Sequence, residues 1–109
     1  MSTLIKIVVF VPKSHTNAVR QAMGDAGAGK IGLYSHCSYS SNGVGRFKPL
    51  KGAHPTIGNI GTPEEVIEER IECVCERSHA KKIIAAMKAV HPYEEVAFDI
   101  YPLFSEEEL

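Results

Sequence analysis

The residues best equipped for chemistry are clustered in His91-Pro92-Tyr93-Glu94-Glu95, immediately before an alternating apolar run. An imidazole, a phenol and two carboxylates can exchange protons, hold a cation or accept hydrogen bonds from a basic ligand. The same residues also make an ordinary helix end, because Pro92 cannot continue a helix and the negative helix terminus favours a charged His91. The segment therefore predicts a helix stop and a strand start, and it is also a candidate binding rim.

A second cluster is Ser35-His36-Cys37-Ser38, where a histidine beside a cysteine raises the question of zinc or of a thiolate nucleophile. Adjacent residues of a strand point to opposite faces, so these two side chains cannot readily share one metal. No base can be assigned to Cys37 from spacing, so we predict a small buried Cys37, an exposed His36 available to a cleft and no catalytic residue. Metal and cofactor stay unassigned, and the candidate ligand-binding residues are His36, His91, Tyr93, Glu94 and Glu95.

The other two of the three cysteines, Cys73 and Cys75, form a C-x-C pattern within a predicted strand. Residues two apart on a strand share a face, and their backbone leaves little room for a mutual disulfide. We predict buried, reduced thiols in a cytoplasmic protein, because a soft-metal site needs further ligands that the sequence does not place.

The composition is that of a packed soluble protein, with 44% hydrophobic and 23% charged residues. A length of 109 residues favours one domain spanning residues 1–109, and a net charge of -1 gives no reason to expect nucleic acid as a partner. No apolar run approaches the roughly 20 residues that span a bilayer, so no membrane segment is predicted. The first residues are interpreted as a strand of the fold and not as an export signal.

The chain contains an internal repeat at an offset of 64 residues. The strand-like run KIVVFVP (6–12) aligns with RIECVCE (70–76), and the helix-like run KSHTNAVRQAM (13–23) aligns with RSHAKKIIAAM (77–87). Ser14 and Ser78 fall at matching positions, where each can cap the following helix. We therefore predict two strand-helix units and a local role for the paired histidines His15 and His79.

Each helix should be followed by a returning strand, over residues 31–40 in the first half and 95–103 in the second. The predicted fold is an α+β, ferredoxin-like βαββαβ sandwich with both helices on one face. Residues 41–68 form an insert in this pattern. Asn42-Gly43 predicts the turn of a β-hairpin, the glycine- and proline-rich residues 50–66 predict an ordered loop, and Glu64 to Glu69 predict a solvated lead into the third strand.

The stretch GLYSHCSYSSNGVGRFKPLKGAHPTIG, together with RIECVCE and HPYEEVAFDIYPL, resembles the inserted domain of the YqfO, or Nif-three-like, proteins. The resemblance covers nearly the whole chain and implies a free-standing copy of that domain. Full-length members of the family resemble a dinuclear metal-binding protein, and some are homologues of a GTP cyclohydrolase. The resemblance places their metal ligands in flanking segments, so it carries hydrolase chemistry to no position of this sequence.

The domain itself is similar to the CutA and PII-like proteins, and His91-Pro92-Tyr93-Glu94 resembles the HPYE of CutA after the second helix. This resemblance implies a homotrimer that binds ligands in the clefts between its subunits. The expected function is a non-enzymatic, regulatory module that binds a small molecule or an ion near His36 and the HPYEE segment.

Two alternatives remain open. A metal-dependent hydrolase or metal-handling protein requires ligands from His36, His54, His91 or Glu94, brought together across subunits. An oligomerisation domain that docks on another protein would use the loop from residue 50 to residue 61 as its contact.

Overall fold

The computed structural model describes residues 3–109 and contains one four-stranded antiparallel sheet with the strand order β2-β3-β1-β4. The described elements follow one another as strand, helix, two strands, helix and strand, which confirms the predicted βαββαβ sandwich. Within residues 3–109, no helix combines the length and the apolar character needed to cross a membrane. The bounds are β1 Leu4–Pro12, α1 Thr16–Asp25, β2 Tyr39–Phe47, β3 Glu64–Glu76, α2 Ala80–Val90 and β4 Phe98–Pro102.

One face of the sheet packs against both helices and forms the core. Alternate residues of a strand point to opposite faces, so every second residue of β1 and of β3 is directed at the helices. The residues between those positions face the open side of the sheet. The core contains Ile5, Ile7, Val9, Val11, Ile71, Cys73 and Cys75 from the strands and Val19, Met23, Ile83 and Met87 from the helices.

The two predicted repeats occupy equivalent places in the fold. Each strand leads through a short 3-10 turn, Lys13–His15 or Arg77–His79, directly into its helix. The predicted serine caps are wrong, because these turns place Ser14 and Ser78 before the helices proper, and neither helix has a side-chain cap. Ser14 Oγ lies instead 2.7 Å from Nδ1 of its neighbour His15.

The predicted turn at Asn42-Gly43 is also wrong, because β2 passes straight through these residues. Pairing with β3 is continuous from Tyr39–Glu72 to Phe47–Glu64, and this ladder outweighs the local preference of the dipeptide for a turn. β2 and β3 do form a hairpin, but residues 48–63 connect the two strands. The strand expected over residues 31–40 is likewise confined to its last two residues, since Gly32 and His36 have positive φ angles.

The strands β2 and β3 extend beyond the sandwich as a two-stranded arm, formed by residues 44–47 and 64–67. In the described pairing these residues of β3 are joined only to β2, and the side chains of Val44 and Ile67 remain about half exposed. The acidic run from Glu64 to Glu69 is thus part of a strand and not a solvated lead, and Glu68 is only 8% exposed. The arm carries the 48–63 loop back over the open face of the sheet.

Candidate functional site

A groove of about 750 Å³ lies on the open face of the sheet, at the end where the arm begins. Its floor contains Phe10 of β1 with Glu68 and Arg70 of β3, and β2 from residue 41 to residue 47 borders it. One wall is the loop segment 48–57, and the opposite wall is Tyr93-Glu94-Glu95. Three of the five predicted ligand-binding residues therefore meet at one place.

His91 does not line the groove but holds its wall in position. Its Nε2 donates to the carbonyl oxygen of Phe10 at 2.8 Å, and its Nδ1 accepts the backbone N–H of Tyr93 at 3.2 Å. Burial lowers the pKa of His91, so the neutral ring is favoured, in contrast to the imidazolium expected at a helix terminus. The predicted helix stop is confirmed, since α2 ends at Val90 and His91 has an extended backbone.

Tyr93 connects the wall to the floor. Its hydroxyl donates to Oε2 of Glu68 at 3.0 Å, and its ring centre lies 6.0 Å from that of Phe47. Burial, together with the hydrogen bond to Glu68, raises the pKa of Tyr93, so the phenol stays protonated near neutral pH. A Cβ at position 45 would come within 2.0 Å of Glu68 Oε1, so a larger residue there would require the Glu68 carboxylate to shift.

Glu94 fastens the loop to the rim of the groove. Its Oε1 accepts the backbone N–H of His54 at 2.8 Å, and Thr56 Oγ1 donates to the carbonyl oxygen of Pro92 at 2.7 Å. The neighbouring Glu95 is exposed at the same rim. The adjacent carboxylates thus differ, since one holds the loop and the other faces solvent.

Arg70 is a groove residue that the sequence did not single out. Its Nε has no hydrogen-bond partner among the described residues and lies 3.7 Å from Oε2 of Glu72. Its guanidinium carbon lies 5.9 Å from the ring centre of Phe10, and its side chain is 38% exposed. The alternation in EEVIEERIECVCE could have revealed it, because Glu68, Arg70 and Glu72 fall on the face opposite Ile71 and Cys73.

His36 lies elsewhere in the subunit. Its Nε2 donates to Asp25 Oδ1 at 2.9 Å, and this hydrogen bond lowers the pKa of the Asp25 carboxyl group. A Cβ at Gly24 would come within 2.2 Å of the His36 ring, so the histidine lies directly on the end of α1. A single chain therefore does not bring His36 to the groove.

The cysteines are not assembled into a site. Cys73 and Cys75 are buried and free, as predicted, and burial raises the pKa of the Cys73 thiol to about 11. Cys37 is only partly buried and borders a shallow hollow of about 350 Å³. Among residues 3–109, no three His, Cys, Asp or Glu side chains are grouped so that they could hold a metal ion.

Solved structures of known proteins define the class to which this fold belongs. CutA from Xylella fastidiosa superposes with a TM-score of 0.71 at 14% identity, over 98% of this chain and 90% of that protein. The complex of Bacillus subtilis GlnK with ATP gives a TM-score of 0.60 at 13% identity, over 93% and 83% of the two chains. The chain therefore has the fold of the CutA and PII-like proteins.

Relatives at higher identity resemble this chain over a shared segment. A Bacillus subtilis (strain 168) protein named GTP cyclohydrolase 1 type 2 homolog is 56% identical over 100 residues, which are 92% of this chain and 27% of that protein. A similarly named Mycobacterium tuberculosis protein is 51% identical over 92% of this chain and 26% of its own length. A solved Bacillus cereus protein related to NIF3 superposes with a TM-score of 0.82 at 51% identity, over 94% of this chain and 26% of that protein.

No protein-family model matches the chain. Over the segment that it spans, the chain is similar to the NIF3-related GTP cyclohydrolase 1 type 2 homologues. It spans about a quarter of the length of these relatives.

Proposed function

We propose that the chain is a non-enzymatic binding module that holds a small molecule in the groove on the open face of its sheet. The observation that carries this proposal is the convergence of Glu68, Arg70 and Tyr93 in a groove whose other walls are largely apolar. Small-molecule sites are typically clefts of about 300–1,000 Å³ with apolar walls and a few placed polar groups. The groove, at about 750 Å³, falls within that range.

The walls of the groove are fixed before any ligand arrives. The hydrogen bonds of Glu94 to the His54 N–H and of Thr56 to the Pro92 carbonyl join the loop to the opposite wall. The ring of His91 in turn joins this wall to the floor. A preformed site loses less conformational entropy on binding, which favours affinity for a small ligand.

We propose further that the module acts as a cytoplasmic homotrimer with a regulatory role. Apolar side chains on the two edge strands support self-association, since Tyr39 of β2 is 69% exposed and Ile100 and Tyr101 of β4 are 45% and 40% exposed. In such an assembly the HPYEE wall faces an intersubunit cleft, and His36 contributes to it from a neighbouring chain.

Gly43 offers a direct test, because it lines the groove and a Cβ at this position meets no atom within 4 Å. The phenylalanine of Gly43→Phe fills the groove at a strand position that suits aromatic residues. Val44→Phe is the matched control, because its side chain points to the opposite face. The probe is the neutral, fluorescent N-phenyl-1-naphthylamine, measured by titration.

Wild type and Val44→Phe should bind this dye equally, and Gly43→Phe should lose at least about tenfold in affinity, as expected when a site is filled. Equal affinity in all three proteins would rule out the groove as the binding site. Native mass spectrometry of untagged protein tests the trimer independently, and a monomer would remove the intersubunit cleft.

The metal hypothesis has a separate test. Within the described part of one chain no cluster of ligands occurs, so this hypothesis requires side chains from different subunits. Metal analysis of protein purified without chelators, followed by zinc titration, decides it. Stoichiometric metal that Glu94→Ala abolishes would favour metal handling over the proposed function.

A further inference from the structure

We infer that the groove selects a flat, mainly apolar molecule with one acidic or carbonyl group, and that Arg70 recognises that group. This inference rests on the proposed binding function and specifies the ligand of the same site. It is supported by the aromatic lining, by the partly exposed side chain of Arg70 and by the balance of charge around the groove.

Aromatic rings surround the space on two sides. Phe10 lies in the floor, and Phe47 and Tyr93 line the groove with their ring planes inclined at 59° to each other. Aromatic side chains prefer offset or edge-to-face contacts with other rings. A flat ligand can make such contacts with the floor and with the tyrosine wall at the same time.

Arg70 makes one long ion pair within the described residues, with Nε 3.7 Å from Oε2 of Glu72. Its guanidinium packs over Phe10, and its Nε is buried without a hydrogen-bond partner among the described residues. The side chain as a whole is partly exposed, so a ligand would meet the rest of the guanidinium. A guanidinium presents several donors in one plane and matches a carboxylate or carbonyl group better than an ammonium does. In an apolar groove such a bond is stronger than it is in water.

The charges around the groove restrict the ligand to a single negative charge. The groove is lined by the three carboxylates of Glu68, Glu94 and Glu95 and by the cationic side chains of Lys48 and Arg70. The side chain of Arg46, like that of Val44, points to the opposite face of β2. Arg46 forms an ion pair with Glu65, in which Nε of Arg46 lies 3.1 Å from Oε1 of Glu65. A polyphosphate would therefore meet more repulsion than attraction, whereas one acidic group beside Arg70 is favoured.

Two dyes of similar shape separate charge recognition from apolar binding. 1-Anilinonaphthalene-8-sulfonate carries one negative charge, and N-phenyl-1-naphthylamine is its neutral counterpart. The test variant is Arg70→Met, which keeps an unbranched side chain but removes the donor. Arg46→Met is the matched control, because it removes an exposed arginine that is already paired.

Arg70→Met should lower the affinity for the sulfonate dye about tenfold, as expected for loss of one charge-assisted hydrogen bond. It should change the affinity for the neutral dye by less than about twofold. Arg46→Met should leave both affinities within about twofold of wild type. If circular dichroism shows that Arg70→Met does not fold, Arg70→Lys replaces it, and its sulfonate affinity should fall about threefold because the planar fork is lost.

The two proposals fail in different ways. If the Arg70 variants bind the sulfonate dye as wild type does, or lose equal affinity for both dyes, recognition by Arg70 is overturned. The groove would still be a binding site for apolar molecules. Dye binding that Gly43→Phe does not affect would instead overturn the proposed function itself.

Discussion

The ring of His91 lies between the floor and the wall of the groove, with Nε2 2.8 Å from the carbonyl oxygen of Phe10. These two residues are 81 positions apart, and their hydrogen bond ties the end of α2 to β1. Because Nδ1 also accepts the Tyr93 N–H, only the neutral ring protonated on Nε2 can make both bonds. The orientation of the HPYEE wall therefore depends on the protonation state of one imidazole.

His91 should make stability depend on pH in the weakly acidic range. Its pKa is lowered by burial in the folded state, whereas the unfolded chain has a value of about 6.5. The unfolded state thus binds more protons, so the contribution of His91 is complete above about pH 6.5 and is lost as pH falls through the lower folded pKa. In urea unfolding, wild type should lose more stability between pH 7.5 and 5 than His91→Gln.

Glu68 and His15 also act electrostatically on His91. Both residues are present in wild type and in His91→Gln, so the difference between the two pH profiles reports on the His91 imidazole. Parallel pH profiles for wild type and His91→Gln would contradict this role.

Glu94→Ala should release the loop without unfolding the domain. It removes the acceptor of the His54 N–H, and loss of one such bond costs about 1 kcal/mol. Hydrogen exchange at the amide of His54 should accelerate, and affinity for the neutral dye should fall because one wall becomes mobile. Glu95→Ala is the control at the same rim, and equal exchange in the two variants would count against the clamp.

Gly29→Ala should be among the most destabilising small substitutions in the chain. Gly29 has a φ of +79°, and a Cβ there would come within 2.1 Å of the carbonyl oxygen of Cys37. Backbone atoms cannot move aside cheaply, so we expect a loss of about 2 kcal/mol or more in the free energy of unfolding. The Cβ added by Gly43→Ala would meet no atom within 4 Å. This substitution should therefore change the free energy of unfolding by less than about 0.5 kcal/mol.

Cys37 should react with iodoacetamide before the two thiols of β3. The pKa of Cys73 is raised to about 11 and that of Cys75 is also raised, in both cases first by burial, so little thiolate exists at pH 7.5. Peptide mass spectrometry should find label on Cys37 in the folded protein and on all three residues in urea. Simultaneous labelling of the folded protein would show that β3 opens readily.

The internal repeat explains why the core could be predicted from the sequence. Ile7 and Ile71, like Met23 and Met87, are equivalent in the repeat and are all completely buried. The same apolar pattern occurs in both halves of the chain. The buried positions predicted in one half therefore support those predicted in the other. The strands β1 and β3 and the two helices follow from this pattern, and the end of α2 at Val90 follows from Pro92.

The groove could be predicted only in part, because its floor depends on pairing between distant segments. Asn42-Gly43 favours a turn locally, and only the ladder with β3 keeps it extended. Glu68 and Arg70 belong to a run of charges that resembles a solvated segment until the loop and Tyr93 cover it. Local sequence identified the tyrosine wall but not the partners that it meets.

The pairing of β1 with β3 has an approximate two-fold axis at its centre. Val8 lies opposite Glu72, and these same two positions are equivalent in the repeat. A half-turn about this point therefore carries one end of the open face onto the other.

The shallow hollow beside Cys37 is the counterpart of the groove under this rotation. Its lining residues Lys6 and Val74 correspond to the groove residues Arg70 and Phe10. The two depressions therefore occupy related places on the open face, and only the groove is walled by the arm and its loop.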